Sequence, residues 1–137
     1  MAEVHEILPR LALFADLTSA QQEAVAHRFE EELFPEGAPV LREGLKGSGL
    51  FVILEGEAIL EIAGEERTRF GPGEFFGEIS LLTGEPPNAG IRAASMLRCL
   101  VVPGPDFEPF LIAHPRVLFR MFQAEARRLR ETTAWKT

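Results

Sequence analysis

The residues that could do chemistry are concentrated in one stretch of the chain, from Phe70 to Glu85. A glycine turn leads there into a helix-compatible run that Gly84 closes. The start of such a helix presents backbone N–H groups without partners in the helix, and these attract anions. Gly77 has no side chain and leaves room for a ligand to approach. The carboxylate of Glu78 would repel a phosphate, so we expect it to face sugar hydroxyls or another neutral part of a ligand.

Other chemistries lack the residues that they require. A metalloenzyme with a β-structured core needs histidines and carboxylates on facing strands, but His5, His27 and His114 all lie outside the glycine-rich region. The chain contains neither a Gly-x-Ser-x-Gly elbow nor a P-loop Gly-Lys-Ser/Thr motif. Ser80 is therefore expected to begin a helix or contact a ligand. We predict that the chain is not an enzyme and requires no metal or cofactor.

The charge balance and the hydropathy exclude further classes. The chain carries 14 basic and 21 acidic residues, a formal charge of −7, which argues against direct binding of nucleic acid. No run approaches the roughly 20 apolar residues that cross a bilayer, and the acidic start is unlike a signal peptide. We predict a cytoplasmic protein without a membrane partner. The single cysteine, Cys99, lies in an apolar run and is expected to be buried.

The length of 137 residues fits one domain, 1–137, with one core. The distribution of glycine divides the chain into an N-terminal helical segment (1–36), a β-roll (37–104) and C-terminal helices (105–137). Residues 1–36 contain no glycine, and Thr18 or Ser19 followed by Gln21 or Gln22 makes a capping-box start. That signal predicts a helix that continues through about Glu32.

The middle segment has the pattern of an all-β sandwich or roll. All 12 glycines lie between Gly37 and Gly104, where they separate short apolar runs. The predicted strands lie in 39–41, 50–54, 58–62, 67–70, 91–94 and 97–102. The residues Glu55–Glu57 predict a tight hairpin and Ala63–Glu66 a second turn, so neighbouring strands are expected to be antiparallel.

Two helical segments are predicted after the β-roll. A short apolar segment, 107–113, ends at His114-Pro115, and a last helix runs from Pro115 to about Thr133. Its mostly apolar stripe can pack on its own domain, on a second chain, or on both, and we favour a homodimer through this helix. The stripe comprises Leu118, Met121, Phe122, Glu125 and Leu129.

The stretch from Pro72 to Leu82 resembles the phosphate-binding cassette of cyclic-nucleotide-binding domains of the catabolite-activator type. The resemblance extends over almost the whole chain, through Leu13–Thr18, Gly37–Gly44, Val52–Glu57 and the terminal helices. It implies an eight-stranded jelly roll and a ligand such as cAMP or cGMP. In that family the short helix and adjacent amides hold the cyclic phosphate, a carboxylate binds the ribose 2′-hydroxyl, and a cassette arginine contacts the phosphate. Gly77, Glu78 and Ile79 match the first two roles by position.

The sequence departs from the family pattern at the arginine position, which Pro87 occupies. Proline offers neither a side-chain donor nor an N–H. A charge-assisted hydrogen bond of about 1.5–3 kcal/mol is lost, which predicts roughly 10- to 150-fold weaker binding unless another group replaces it. Asn88 could donate from its amide, Ala89 from its backbone, and Arg92 from its guanidinium. The alternative for Arg92 is a solvated side chain on the outer face of its strand.

The end of the terminal helix carries a hydroxyl pair, Thr132 and Thr133, where the resemblance places contacts to the base. The alternative is a fraying, solvated helix end. Arg127, Arg128 and Arg130 nearby are interpreted as complementing the helix dipole rather than as a basic patch.

Two functions follow from these observations. The first is a stand-alone sensor domain, without a helix-turn-helix, that binds a cyclic nucleotide or a related anionic molecule and signals through its C-terminal helix. The alternative is a domain of the same fold that no longer binds cyclic nucleotide and acts as a dimerising module. The candidate ligand-binding residues are Phe76, Gly77, Glu78, Ile79, Ser80, Pro87, Asn88, Ala89, Arg92, Thr132 and Thr133.

Overall fold

The computed structural model describes residues 2–42, 44 and 49–134, with side chains through residue 132. The chain begins with helix α1 (Val4–Ile7), a 3₁₀ turn (Leu8–Arg10) and helix α2 (Ser19–Arg28). The capping box that starts α2 is confirmed. The Thr18 hydroxyl accepts a hydrogen bond from the Gln21 N–H at 3.1 Å, and the Gln21 side chain accepts one from the Thr18 N–H at 2.9 Å.

The described residues contain eight strands in two four-stranded antiparallel sheets. The strands are β1 (Glu30–Phe34), β2 (Pro39–Leu41), β3 (Gly49–Glu55), β4 (Ala58–Ile62), β5 (Glu65–Phe70), β6 (Phe75–Phe76), β7 (Gly90–Ala93) and β8 (Leu97–Pro103). The first sheet has the order β1-β8-β3-β6 and the second the order β2-β7-β4-β5. The predicted β-roll and the eight strands that the resemblance implied are confirmed.

The prediction of a helix through Glu32 is wrong. Helix α2 ends at Arg28, and Glu30–Phe34 pairs with β8 as a strand. Glutamate favours helices when its neighbours alone are considered. Pairing overrides that preference, because Arg98 of β8 forms ion pairs with Glu31 of β1 and, at 2.6 Å, with Glu55 of β3. The β-roll therefore begins inside the segment 1–36 that was predicted to be helical.

The residues Glu55–Glu57 do not form the predicted hairpin. Strand β3 belongs to the first sheet and β4 to the second, so this connection carries the chain from one sheet to the other. Gly56 has a φ of +90°, and a Cβ there would lie 2.2 Å from the carbonyl oxygen of Met96. The glycine permits this close crossing. The second predicted turn is confirmed, because Ala63 and Gly64 connect the antiparallel pair β4 and β5.

The hydrophobic core lies on both faces of β3. Leu50, Val52 and Leu54 pack towards the helices, whereas Phe51 and Ile53 pack towards the second sheet. Cys99 belongs to the cluster between the sheets and is fully buried, as predicted. Burial raises the pKa of its thiol to about 12.

The short helix α3 (Glu78–Thr83) follows β6, and helix α4 (Gly104–Ala113) leads into the long helix α5 (Pro115–Ala134). Val117 and Met121 of α5 are buried in the core. Of the predicted stripe, Leu118, Phe122 and Leu129 are instead exposed. No helix in the described ranges is both long enough and apolar enough to span a bilayer.

The first half of α5 is attached to the N-terminal segment through Asp16. The Asp16 carboxylate accepts hydrogen bonds from Arg120 at 2.8 Å and from Arg116 at 3.1 Å. The bond from Arg120 and then that from Arg116 lower the pKa of Asp16 to about 2. Together with the buried Val117 and Met121, these contacts attach this half of the helix to the domain.

Candidate functional site

A cavity of ≈ 510 Å³ lies between the inner face of the second sheet, the stretch from Phe76 to Ser80, and the last turns of α5. Its wall is apolar where the sheet contributes Leu60, Phe70 and Ile91. Polar groups enter from the cassette and from α5. The cavity therefore has the composition of a small-molecule site, apolar with a few polar groups that fix orientation.

The cassette forms the predicted short helix, α3 (Glu78–Thr83), between two glycines in the left-handed conformation. Gly77 has a φ of +92°, and a Cβ there would lie 2.4 Å from the carbonyl oxygen of Gly49 in β3. Although Gly77 lines the cavity, the close approach that requires glycine is to the protein backbone and not to a ligand. The sequence had suggested that Gly77 leaves room for a ligand, and the contact with β3 replaces that explanation.

Glu78 is the first residue of α3 and is 2 % exposed. One carboxylate oxygen accepts a hydrogen bond from Arg128 at 3.1 Å, and the same guanidinium nitrogen donates to Glu125 at 3.0 Å. Burial, and then the neighbouring Glu125, raise the pKa of Glu78 to about 8, against the opposing effect of Arg128. Two carboxyl groups thus share one guanidinium, and one of the two, that of Glu78, is buried.

Arg128 connects α5 to the cassette. Its second terminal nitrogen donates to the carbonyl oxygen of Phe75 at 2.7 Å, and its guanidinium lies 4.4 Å from the ring centre of Phe75 and 4.8 Å from that of Phe70. The interpretation of Arg128 as a surface complement to the helix dipole is therefore wrong. Its place on the helix was a usable signal, because it lies four residues before Thr132 and three after Glu125, on one face.

The structure brings most of the candidate ligand-binding residues together. Those that line the cavity are Phe76, Gly77, Glu78, Ile79, Ser80, Pro87, Asn88, Ala89 and Thr132. The Ser80 hydroxyl donates to the carbonyl oxygen of Glu85 at 2.6 Å, and the Thr132 hydroxyl donates to that of Arg128 at 2.9 Å. The side chain of Thr133 lies outside the described residues. Binding through any of these residues stays a prediction.

Arg92 does not line the cavity. Its strand neighbour Ile91 faces the interior, and the Arg92 guanidinium donates instead to Glu61 on the adjacent strand at 2.8 Å. Side chains alternate between the two faces of a strand, so the orientation of Ile91 determines that of Arg92. The placement agrees with the outer-face alternative, and Arg92 is not positioned to replace the cassette arginine.

Two further cations line the cavity from β5. The Arg69 guanidinium donates two hydrogen bonds to Glu66, at 3.0 and 3.1 Å, and lies 3.5 Å from Glu57. Arg67 is half exposed and lies 3.7 Å from Glu65. Among the residues with described side chains, no group of three or more His, Cys, Asp and Glu could hold a metal ion.

A β-roll whose cavity lies between a short helix after β6 and a C-terminal helix defines the class of domain. Residues 31–114 match the family model of the cyclic nucleotide-binding domain. The chain belongs to the cyclic nucleotide-binding domain family.

Relatives and solved structures agree with this assignment. The chain is 32 % identical over 125 residues to the cGMP-dependent protein kinase of Toxoplasma gondii, covering 91 % of this chain and 13 % of the kinase. It is 32 % identical over 124 residues to the cyclic AMP receptor protein of Thermus thermophilus, covering 87 % of this chain and 57 % of the receptor. The chain thus spans less than two thirds of these relatives.

Two crystal structures are similar at comparable identity. One is the Thermus thermophilus catabolite activator protein, with a TM-score of 0.78, 30 % identity, and coverage of 90 % of this chain and 60 % of that one. The other is the N-terminal domain of a transcriptional regulator from Streptomyces coelicolor, with a TM-score of 0.67, 32 % identity, and coverage of 98 % and 94 %.

Proposed function

We propose that this chain is a regulatory, non-catalytic domain that binds a cyclic nucleotide, cAMP or cGMP, and reports occupancy through the position of α5. The observation that carries the proposal is the contact from Arg128 to Glu78. It makes the helix part of the cavity wall, so a ligand that fills the cavity meets both the cassette and α5. The names of the relatives, which include a cGMP-dependent kinase and a cyclic AMP receptor, support the ligand class.

The arrangement of polar groups supports a nucleotide in a defined orientation. The backbone at the start of α3 and the segment Pro87–Ala89 both line the cavity and suit a phosphate. Glu78 suits a ribose hydroxyl next to it. Thr132 and the apolar side chains of Leu60 and Ile62 line the cavity as well and suit a base.

Isothermal titration with cAMP and with cGMP tests this function, with 5′-AMP as the matched control for an open phosphate. We expect binding of one cyclic nucleotide at roughly micromolar Kd, because one charged hydrogen bond of the family pattern is absent. Binding of 5′-AMP should be at least about tenfold weaker. Absence of heat with both cyclic nucleotides, from a protein shown to be folded by circular dichroism, would overturn the proposal.

A second candidate is a homodimerising module that no longer binds nucleotide. Pro87 and the exposed Leu118, Phe122 and Leu129 of α5 favour it, because their four- and seven-residue separations form one apolar face. Sedimentation equilibrium of the native protein and of Phe122→Glu tests this. A concentration-dependent dimer that the substitution dissociates, together with no nucleotide binding, would make this function the better one.

A further inference from the structure

The identity of the cation that faces the ligand's charge follows from the orientation of the arginines around the cavity. This inference rests on the proposed function. The family position for this cation is occupied by Pro87, which has no donor, and Arg92 is held on the outer face by Glu61. A monoanionic phosphate held only by neutral backbone groups would lack the charge-assisted hydrogen bond that gives such sites much of their affinity.

The arginines of β5 are poorly placed for this role. Arg69 already donates two hydrogen bonds to Glu66. Arg67 lies three residues before Phe70, so about 10 Å of extended strand separates it from the position where Phe70 contacts Arg128. Its side chain is half exposed and lies 3.7 Å from Glu65. Both guanidinium groups thus lie beside carboxylates, Glu66 and Glu57 for Arg69 and Glu65 for Arg67.

Arg128 lies next to the start of α3, where the phosphate is proposed to bind. It contacts Glu78, the first residue of α3, and the carbonyl of Phe75, two residues before Gly77. Those bonds and the one to Glu125 use three of the five guanidinium N–H groups. The Phe75 and Phe70 rings hold the guanidinium plane in position, which lowers the entropy that it loses when it binds an oxyanion.

We propose that Arg128, supplied by α5, binds the cyclic phosphate in place of the missing cassette arginine, by exchanging its hydrogen bond to Glu78 for one to a phosphate oxygen. The ligand's charge then attracts the second half of α5 directly. Ligand affinity and the position of this helix are then coupled, because the same side chain determines both.

The released Glu78 carboxyl does not remain as an isolated buried charge. Glu125 faces it from α5, and burial together with Glu125 raises its pKa to about 8, so at neutral pH Glu78 holds a proton and stays neutral when the guanidinium turns away. A protonated Glu78 can donate to, or accept from, a ribose hydroxyl. Phosphate binding and hydroxyl recognition are therefore compatible in the same cavity.

The test combines removal of the protein charge with removal of the ligand charge. Whichever of cAMP and cGMP binds more tightly is titrated against native protein, Arg128→Gln and Arg127→Gln, and so is the matching nucleoside, which lacks the phosphate. We expect Arg128→Gln to weaken binding of the cyclic nucleotide about 10- to 150-fold and that of the nucleoside by less than about threefold. The exposed neighbour Arg127 loses the same charge and should leave both unchanged.

A rescue variant decides the role of Arg128 even when the nucleoside binds too weakly to measure. Pro87→Arg restores the cassette cation, and we expect it to recover at least about tenfold in affinity for the cyclic nucleotide in the Arg128→Gln protein and a smaller gain in the native protein, where Arg128 already binds the phosphate. Equal loss for nucleotide and nucleoside, or no recovery in a double variant with native circular dichroism, would overturn the inference and leave the proposed function intact. Failure of the native protein to bind either cyclic nucleotide would overturn both.

Discussion

The two halves of α5 are attached to the domain by different kinds of contact. In the first half, Arg116 and Arg120 form ion pairs with Asp16 on the fixed N-terminal segment, outside the cavity. In the second half, Arg128 reaches through the cavity to a buried carboxyl and lies on two aromatic rings. A ligand can compete for the second attachment but not for the first. The helix is therefore expected to pivot about its first half when the cavity is filled.

The largest effect on the second attachment is expected from a substitution that displaces the cassette, which the second half of α5 contacts. Gly77→Ala places a Cβ 2.4 Å from the Gly49 carbonyl oxygen at a φ of +92°. We expect a loss of more than about 3 kcal/mol in the free energy of unfolding, measured by urea denaturation.

Gly84→Ala is the matched control for this substitution. Gly84 has a φ of +76°, but a Cβ there would have no neighbour within 4 Å. Only the backbone cost remains, about 1 kcal/mol. Equal losses for the two variants would show that backbone strain, and not the contact between α3 and β3, determines the result.

A smaller effect is expected from the titration of Glu78, which sharpens the contrast because the two attachments respond to different pH ranges. The folded pKa of Glu78, about 8, is higher than the ordinary value of 4.5. The folded state then binds more protons between these values, so the contribution of Glu78 to stability falls as pH rises from about 5 to about 8. We expect the Tm of Glu78→Gln, relative to native, to rise over this interval.

Asp16→Asn is the comparison on the first half of the helix. The pKa of Asp16 is lowered to about 2, so its contribution is complete above its ordinary value of 3.8 and is lost only as pH falls towards 2. The Tm difference between Asp16→Asn and native should therefore be constant from pH 5 to pH 9. A Glu78→Gln difference that is equally flat would contradict the assigned environment of Glu78.

The smallest effect is expected from Arg120→Gln, which removes a partly exposed ion pair. We expect a Tm change of at most a few °C, faster amide hydrogen exchange in the first turns of α5, and unchanged affinity for cyclic nucleotide. A loss of affinity similar to that of Arg128→Gln would mean that the two halves of α5 move as one rigid body. The distinction between the halves would then be wrong.

Local signals in the sequence predicted the elements whose structure is determined locally. The capping box at Thr18 and Gln21, the glycines on both sides of α3, and the proline that starts α5 all act within a few residues, and each was found as predicted. The strand β1 was missed because its three successive glutamates favour a helix locally. Its pairing partner β8 is distant in sequence and carries the arginine that binds one of them.

The residues of the candidate site also differ in whether local sequence or tertiary structure places them. The sequence by itself determined which short segment forms the cassette, because the resemblance of Pro72–Leu82 to the family's cassette and the glycines around it are local patterns. Only the tertiary structure decided which arginine contacts the cassette. Arg92 is turned away by a bond to Glu61, 31 residues distant, and Arg128 is brought in by bonds to Glu78 and Phe75, 50 and 53 residues distant. The physical reason is that the direction of a long charged side chain depends on strand register and helix packing, which its own neighbours in sequence do not encode.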